Sequence, residues 1–160
     1  MIEKDLTILK RNSNFVVEFP DDLYLKSCVV ENAQRPSVDF ELEEVCDSQS
    51  AKKRFIVTGY HWKPVTFTVV DPIGPSSSQC LMEWMRMSVN SVKGEICGVP
   101  EHYTKKLKLK CLDQTGVAVE QWELNGCVLK SIDFGKLDIH DGESVKITVT
   151  VQPSYCLLLY

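Results

Sequence analysis

The sequence predicts a mainly β fold, a β-sandwich or barrel-like architecture with one flanking amphipathic α-helix. Alternation of period two dominates the chain, the signature of half-buried strands. Turn chemistry falls between the alternating runs, as in "DQTG" (Asp113–Gly116) and "HDGE" (His140–Glu143), whose Asp-Gly pair suits a tight turn. One segment alone switches to helical spacing. The 160 residues, 44% apolar and 25% charged, suffice for one domain spanning 1–160 with a proper core.

Phe15, Val17 and Phe19 alternate with Asn14, Val16 and Glu18 to open the first strand. Leu23–Val30 is the second expected strand. "SVDFELEEV" then sets Val38, Phe40 and Leu42 against Asp39, Glu41 and Glu43, and Arg54–Thr58 and Val65–Val70 continue the series. From Gln79 to Val92, Leu81, Met82, Trp84, Met85, Ser88, Val89 and Val92 fall on one side, with Glu83, Arg86 and Asn90 largely opposite. That spacing predicts a single amphipathic helix. In Thr104–Leu112 lysines alternate with leucines, a strand with one solvated face and no aromatic interleaving for nucleic acid. Val117–Leu124, Cys127–Asp133, Ser144–Gln152 and Ser154–Tyr160 complete the strands. Ser144–Gln152 is the clearest, with Val145, Ile147, Val149 and Val151 on one face.

The serines of "DPIGPSSSQCLMEWM" (Asp71–Met85) precede the helix. Ser76 stands three residues before Gln79, the capping-box spacing, and a serine hydroxyl there accepts from a free first-turn amide. A nucleophile would need a base and an oxyanion hole; no G-x-S-x-G elbow occurs. Ser76 is therefore read as the cap, and Leu81, Trp84 and Met85 as the buried helix face.

Several function classes are set aside on residue grounds. The N-terminus has no apolar h-region, and nowhere do about 18 apolar residues run together, so neither a signal peptide nor membrane insertion is expected. A net charge of −4 disfavours a general nucleic-acid binder. The seven cysteines (Cys28, Cys46, Cys80, Cys97, Cys111, Cys127, Cys156) show no CxxC pair and read as reduced, small apolar residues. Cys97 and His102 lack a second ligand pair for zinc, and "DIHDGE" lacks the terminal acidic ligand of a calcium loop. Asp39, Glu41 and Glu43 could supply acid/base carboxylates or simply the wet face of a strand. No phosphate-binding glycine loop occurs. The reading is a non-enzyme with no cofactor and no metal.

Two features ask for a partner. "YCLLLY" at the end of the sequence is apolar on both faces, so either the domain core or a neighbouring subunit must cover it. "EVCDSQSAKK" (Glu44–Lys53) is polar, acidic at its start and basic at its end; it is a mobile hairpin tip or a charged contact to another copy.

In order along the chain, "NSNFVVEFP", "RPS", "HWKPVTFTVVDPIGPSSSQCLMEWM", "LKCLDQTGVAVEQWELNGC", "IDFGKLD" and "VKITVTVQPSYCLLLY" resemble the tail tube proteins of contractile-tailed bacteriophages. The tube proteins of secretion and injection systems are similar. The resemblance implies a β-sandwich or barrel-like tail tube fold, six copies forming a ring, and rings stacking into a rigid hollow tube. Such an assembly pairs strand edges across subunits. It makes the hairpin of Val38–Val45 and Arg54–Thr58 the candidate tube wall. Its tip becomes the inter-ring loop, with Glu44, Asp47, Lys52, Lys53 and Arg54 as contacts, and Asp39, Glu41 and Glu43 become a candidate lumen face. Alternation decides which residues share a face, not which face looks inward.

The partners implied are copies of the chain, the tail sheath protein, baseplate and tube-terminator proteins, and DNA in transit without sequence recognition. The implied location is the virion tail tube, assembled in the host cytoplasm. The seven cysteines are a departure from the family pattern. Two rival readings stay open: a baseplate or tube-initiating or terminating paralogue, and a monomeric ligand-binding β-sandwich with a pocket at Trp62, Trp84 and Trp122.

Overall fold

Sixteen consecutive residues, Ala118–Asp133, form the strand on which the molecule is built. The computed structural model describes residues 9–25 and 29–160. In chain order the strands are β1 (Phe15–Glu18), β2 (Val30–Ala33), β3 (Val38–Cys46), β4 (Lys53–Trp62), β5 (Val65–Val70), β6 (Val89–Asn90), β7 (Glu95–Ile96), β8 (Lys105–Leu112), β9 (Ala118–Asp133), β10 (Lys146–Gln152) and β11 (Tyr155–Leu158). Helices α1 (Ser77–Arg86) and α2 (Pro100–Tyr103) complete the set. The main sheet runs β1-β8-β9-β10-β5-β2, with β11 also on β9; among the described residues β3 and β4 pair only with each other, as do β6 and β7.

The long β9 serves two layers. Its first half pairs with β8 and β11, and its second half with β10, all antiparallel. Sequence alternation predicts two strands here, split at Asn125–Gly126. The structure keeps one, because Gly126 at φ +62° absorbs the irregularity without ending the ladder. An added Cβ at Gly126 would lie 2.5 Å from the Ser154 hydroxyl, so the approach of the chain entering β11 also demands glycine.

Between the layers lie Phe67 and Val69 of β5, Ile147, Val149 and Val151 of β10, Leu107 and Leu109 of β8, and Leu124 and Cys127 of β9. Leu81 and Trp84 of α1 enter the same core, and the Trp84 indole N–H donates to the Tyr103 carbonyl at 2.7 Å. Lys106 and Lys110 of β8 take the outer face: Lys110 pairs with Glu18 at 2.7 Å and Lys106 with Glu123 at 3.2 Å. Burial pushes the Cys127 thiol up to about 12, with Cys156 adding to it, and the Cys156 thiol up to about 11. Both are inert space-fillers. The six described cysteines are all unpaired.

The helix starts where its cap requires. Ser76 has extended geometry and its hydroxyl accepts from the Gln79 amide at 3.5 Å. Asp71 does more: its Oδ1 accepts from the amides of Ser77 (3.0 Å) and Ser78 (3.4 Å), and its carboxylate also takes the hydroxyls of Ser76 and Ser78. Burial opposes ionisation of Asp71, but the bonds from Ser78, Ser76 and Ser77 outweigh it and hold the carboxyl below its usual range.

Other expectations are corrected. Leu23–Val30 is not a strand: Asp21–Leu23 is a 3-10 turn, Lys26–Cys28 lie outside the described residues, and the strand spans Val30–Ala33. The helix stops at Arg86, not Val92; the chain enters the small β6–β7 hairpin, and Val92 is 96% exposed. Met85 is only half-buried, so the buried helix face is Ser77, Leu81 and Trp84. The helix is not the only one, since Pro100 nucleates the single turn of α2. "HDGE" forms no tight turn. The whole 134–145 connection is an irregular loop, with the carboxylates of Asp133, Asp138 and Asp141 each capping an amide two residues on. "DQTG" does form the expected turn, with Asp113 accepting from Thr115 and Val117 and Gly116 at φ +88°.

Candidate assembly surface

The strand pair β2–β5 continues outward as β3–β4, and this arm leaves the main sheet. Two backbone bonds bridge the step, Gln34 N–H to Thr66 O at 3.0 Å and Lys63 N–H to Ser37 O at 2.9 Å. Arm register pairs Val38 with Trp62, Phe40 with Tyr60, Leu42 with Val57 and Glu44 with Phe55. Paired residues share a face, so one face of the arm is almost wholly apolar. Its Phe40, Leu42, Phe55, Val57 and Tyr60 are 58–65% exposed.

The other face carries Asp39 opposite His61, Glu41 opposite Gly59, Glu43 opposite Ile56 and Val45 opposite Arg54. The three carboxylates proposed for a lumen wall thus share a face, and Arg54 joins them there. Asp39 is partly neutralised at the root by Lys63 at 3.2 Å. Gly59 leaves room for Glu41 to lie across the ladder: a Cβ there would sit 2.8 Å from its carboxylate. Thr58 is the extra residue of a bulge, and its hydroxyl donates to the Glu41 carbonyl at 3.2 Å.

The residues read as inter-ring contacts separate in the structure. Asp47 is a turn builder, its carboxylate accepting from the Gln49 amide at 3.1 Å and the Ser50 hydroxyl at 3.0 Å. Lys52 lies exposed in that turn. Lys53 pairs with Glu44 at 3.0 Å on the apolar side, whereas Arg54 points to the opposite, acidic face.

A second apolar surface adjoins the arm. In β11 and beyond, only Cys156 is buried, and Tyr155, Leu157, Leu158, Leu159 and Tyr160 are 45–60% exposed. The core of this chain therefore does not cover "YCLLLY". Leu158 pairs with Trp122, whose ring meets Trp62 edge-on at 6.5 Å and 75°. The tryptophan pair thus stands between β11 and Trp62, the last residue of the arm's apolar row. Trp84 is away in the core, and the larger clefts among the described residues are lined by no tryptophan. None of these clefts is the three-tryptophan pocket of the rival ligand-binding reading.

At the root of the arm sits a charge cluster that sequence reading missed. Glu120 of β9, its side chain 2% exposed, pairs with Lys10 and with Arg35 at 2.6 Å, and accepts from the Trp122 indole N–H at 2.6 Å. Burial opposes its ionisation, but hydrogen bonds from Lys10, Trp122 and Arg35 outweigh it and keep the carboxyl below its usual range. Its only sequence signal is a carboxylate on a face otherwise carrying Trp122 and Leu124. Among the described residues no group of three or more His, Cys, Asp or Glu converges as a metal site, and no helix is long and apolar enough to cross a membrane.

No family model and no curated protein matches this sequence. Solved structures do match over nearly the whole chain. The anti-feeding prophage tube-terminating cap aligns with TM-score 0.76 at 11% identity, over 98% of this chain and 95% of that one. The sheath/tube terminator of an extracellular contractile injection system aligns at 0.75 and 10% identity, over 97% and 99%. The sheath-tube complex of such a system aligns at 0.68 and 10% identity, over 96% and 93%. The chain has the tail tube fold.

Proposed function

From a tail tube fold as premise, we propose that residues 1–160 act as one structural domain, the repeating subunit of a contractile-tail tube. Six copies close into a ring and rings stack into a conduit for DNA within a sheath. The observation that carries the reading is the arm, whose apolar face has no cover among the described residues. An isolated two-stranded hairpin is marginal in water, and a long exposed apolar strand pair is an aggregation hazard. Covering five half-exposed side chains contributes roughly 4–8 kcal/mol per arm, comparable to the cost of one rigid-body association. One arm contact is thus weak alone, and closure of a ring makes it cooperative. The opposite face of the arm stays wet in such a ring, which puts Asp39, Glu41 and Glu43 toward the channel. A negative wall repels phosphate, and DNA then slides without sticking. The exposed surface of β11 supplies a second contact. Sheath, baseplate and terminator proteins are the further partners, and the assembled tail is the location.

A second reading has its own support. The fit to the cap and terminator structures, at 0.76 and 0.75, exceeds the 0.68 to the sheath-tube complex. A terminating paralogue would close a ring but stop growth.

Negative-stain electron microscopy of the purified chain across a concentration series, in reducing buffer, tests both. Long hollow tubes are the expected result; isolated six-fold rings that never stack favour the terminator. Monomers at every concentration, with and without a preformed tube end, overturn the assembly reading.

A further inference from the structure

The step between sheet and arm is a joint. Pro36 stands in one leg and Pro64 in the other, and proline has no N–H to give a ladder. Only the bonds Gln34–Thr66 and Lys63–Ser37 described above link the legs there among the backbone contacts of the step. Two stiff strand pairs joined this way keep a fixed angle only if something braces them.

Glu120 is placed to do so. It holds Arg35, next to Pro36 in the first leg, at 2.6 Å. Through the Trp122 indole it orients the ring that packs on Trp62, the last residue of the second leg. Lys10 ties the chain preceding β1 to the same carboxylate, and the Gln152 amide donates to the Trp62 carbonyl at 2.9 Å. A buried carboxylate is costly to desolvate, and an apolar residue of the same size at such a site is often neutral or stabilising. Core packing therefore gives no reason for glutamate here; its pair with Arg35 in one leg and its hydrogen bond to the Trp122 ring that meets the other do.

We propose that Glu120 is a positioning residue for assembly, locking the arm at a fixed angle to the sandwich through Arg35 and the Trp122–Trp62 contact, and that tube growth requires this lock. The growth half rests on the assembly reading; the locking half stands in the isolated chain.

The test uses the full chain as wild type, Glu120→Gln and Arg35→Gln, read by hydrogen exchange, near-ultraviolet circular dichroism of the tryptophan pair, and microscopy. The lock predicts that amides of 38–46 and 53–62 exchange about tenfold faster in both variants while β5 and β10 are unchanged. The tryptophan signal falls in Glu120→Gln, and tube yield falls in both. Arg35 is exposed, so its variant carries the test even where Glu120→Gln does not fold. Unchanged arm exchange in both variants overturns the lock, as does acceleration shared equally by β5 and β10. Loosened arms that still build tubes like wild type overturn the requirement for growth. A wild type that never assembles counts against the assembly reading alone, and arm exchange still decides the lock.

Discussion

Strands β5 and β4 are neighbours along the chain, separated by Lys63 and Pro64, and each sets a row of large apolar side chains on one face. Their fates are opposite. Val65, Phe67 and Val69 of β5 are at most 4% exposed, facing Phe19 and the apolar side chains of β8 and β9, whereas Phe55, Val57 and Tyr60 of β4 stand in solvent. The same pattern means core in one strand and interface in the next. The difference is whether the fold supplies a second layer, and among the described residues the arm has none.

Substitutions can break this contrast. The largest effect is expected in the covered strand: Phe67→Ala should cost about 3–5 kcal/mol, read as a lower urea midpoint. The paired substitution Leu42→Asp with Val57→Asp should move that midpoint by no more than about 1 kcal/mol, yet abolish rings and tubes. A loss of stability as large as that of Phe67→Ala would mean the arm face is covered within the monomer.

Asp71→Ala should cost about 1–2 kcal/mol through the helix start, without altering the assembly surface. Because the native carboxyl titrates below its unfolded value, its contribution is complete above about pH 4 and is lost as the pH falls through the native value. Wild type and Asp71→Ala should therefore converge in acid denaturation curves. A constant gap down to the lowest pH would count against Asp71 as the cap. The smallest change in monomer stability is expected for Lys52→Glu with Lys53→Glu, which breaks one exposed pair with Glu44 worth about 0–1 kcal/mol. Ring stacking is the sensitive readout there. Stacks that form as in wild type would remove the tip from the inter-ring contact, and Arg54 is left intact because it faces the other way.

Much of the fold was legible locally. Val65–Val70 needs nothing beyond its own alternation, the "DQTG" turn nothing beyond its Asp and Gly, and the helix start is visible at Ser76. The failures share a cause. Val92 continues a helical stripe on paper, but the helix ends at Arg86, where β6 pairs with β7. Asn125–Gly126 reads as a break, but β8 and β11 on either side hold the strand together. Of the candidate surface, the sequence showed that Asp39, Glu41 and Glu43 share a face opposite Phe40 and Leu42. Beyond its place on a face with Trp122 and Leu124, the role of Glu120 was not legible, because Lys10 and Arg35 reach it from elements distant in sequence.

By itself, then, the sequence determined which side chains travel together: period two follows from covalent geometry and holds until a bulge such as that at Thr58 shifts it by one residue. Only the tertiary structure decided which of those faces finds a partner in its own chain. Burial depends on what the rest of the molecule brings alongside, and among the described residues nothing covers the apolar face of the arm or, Cys156 apart, the side chains of "YCLLLY".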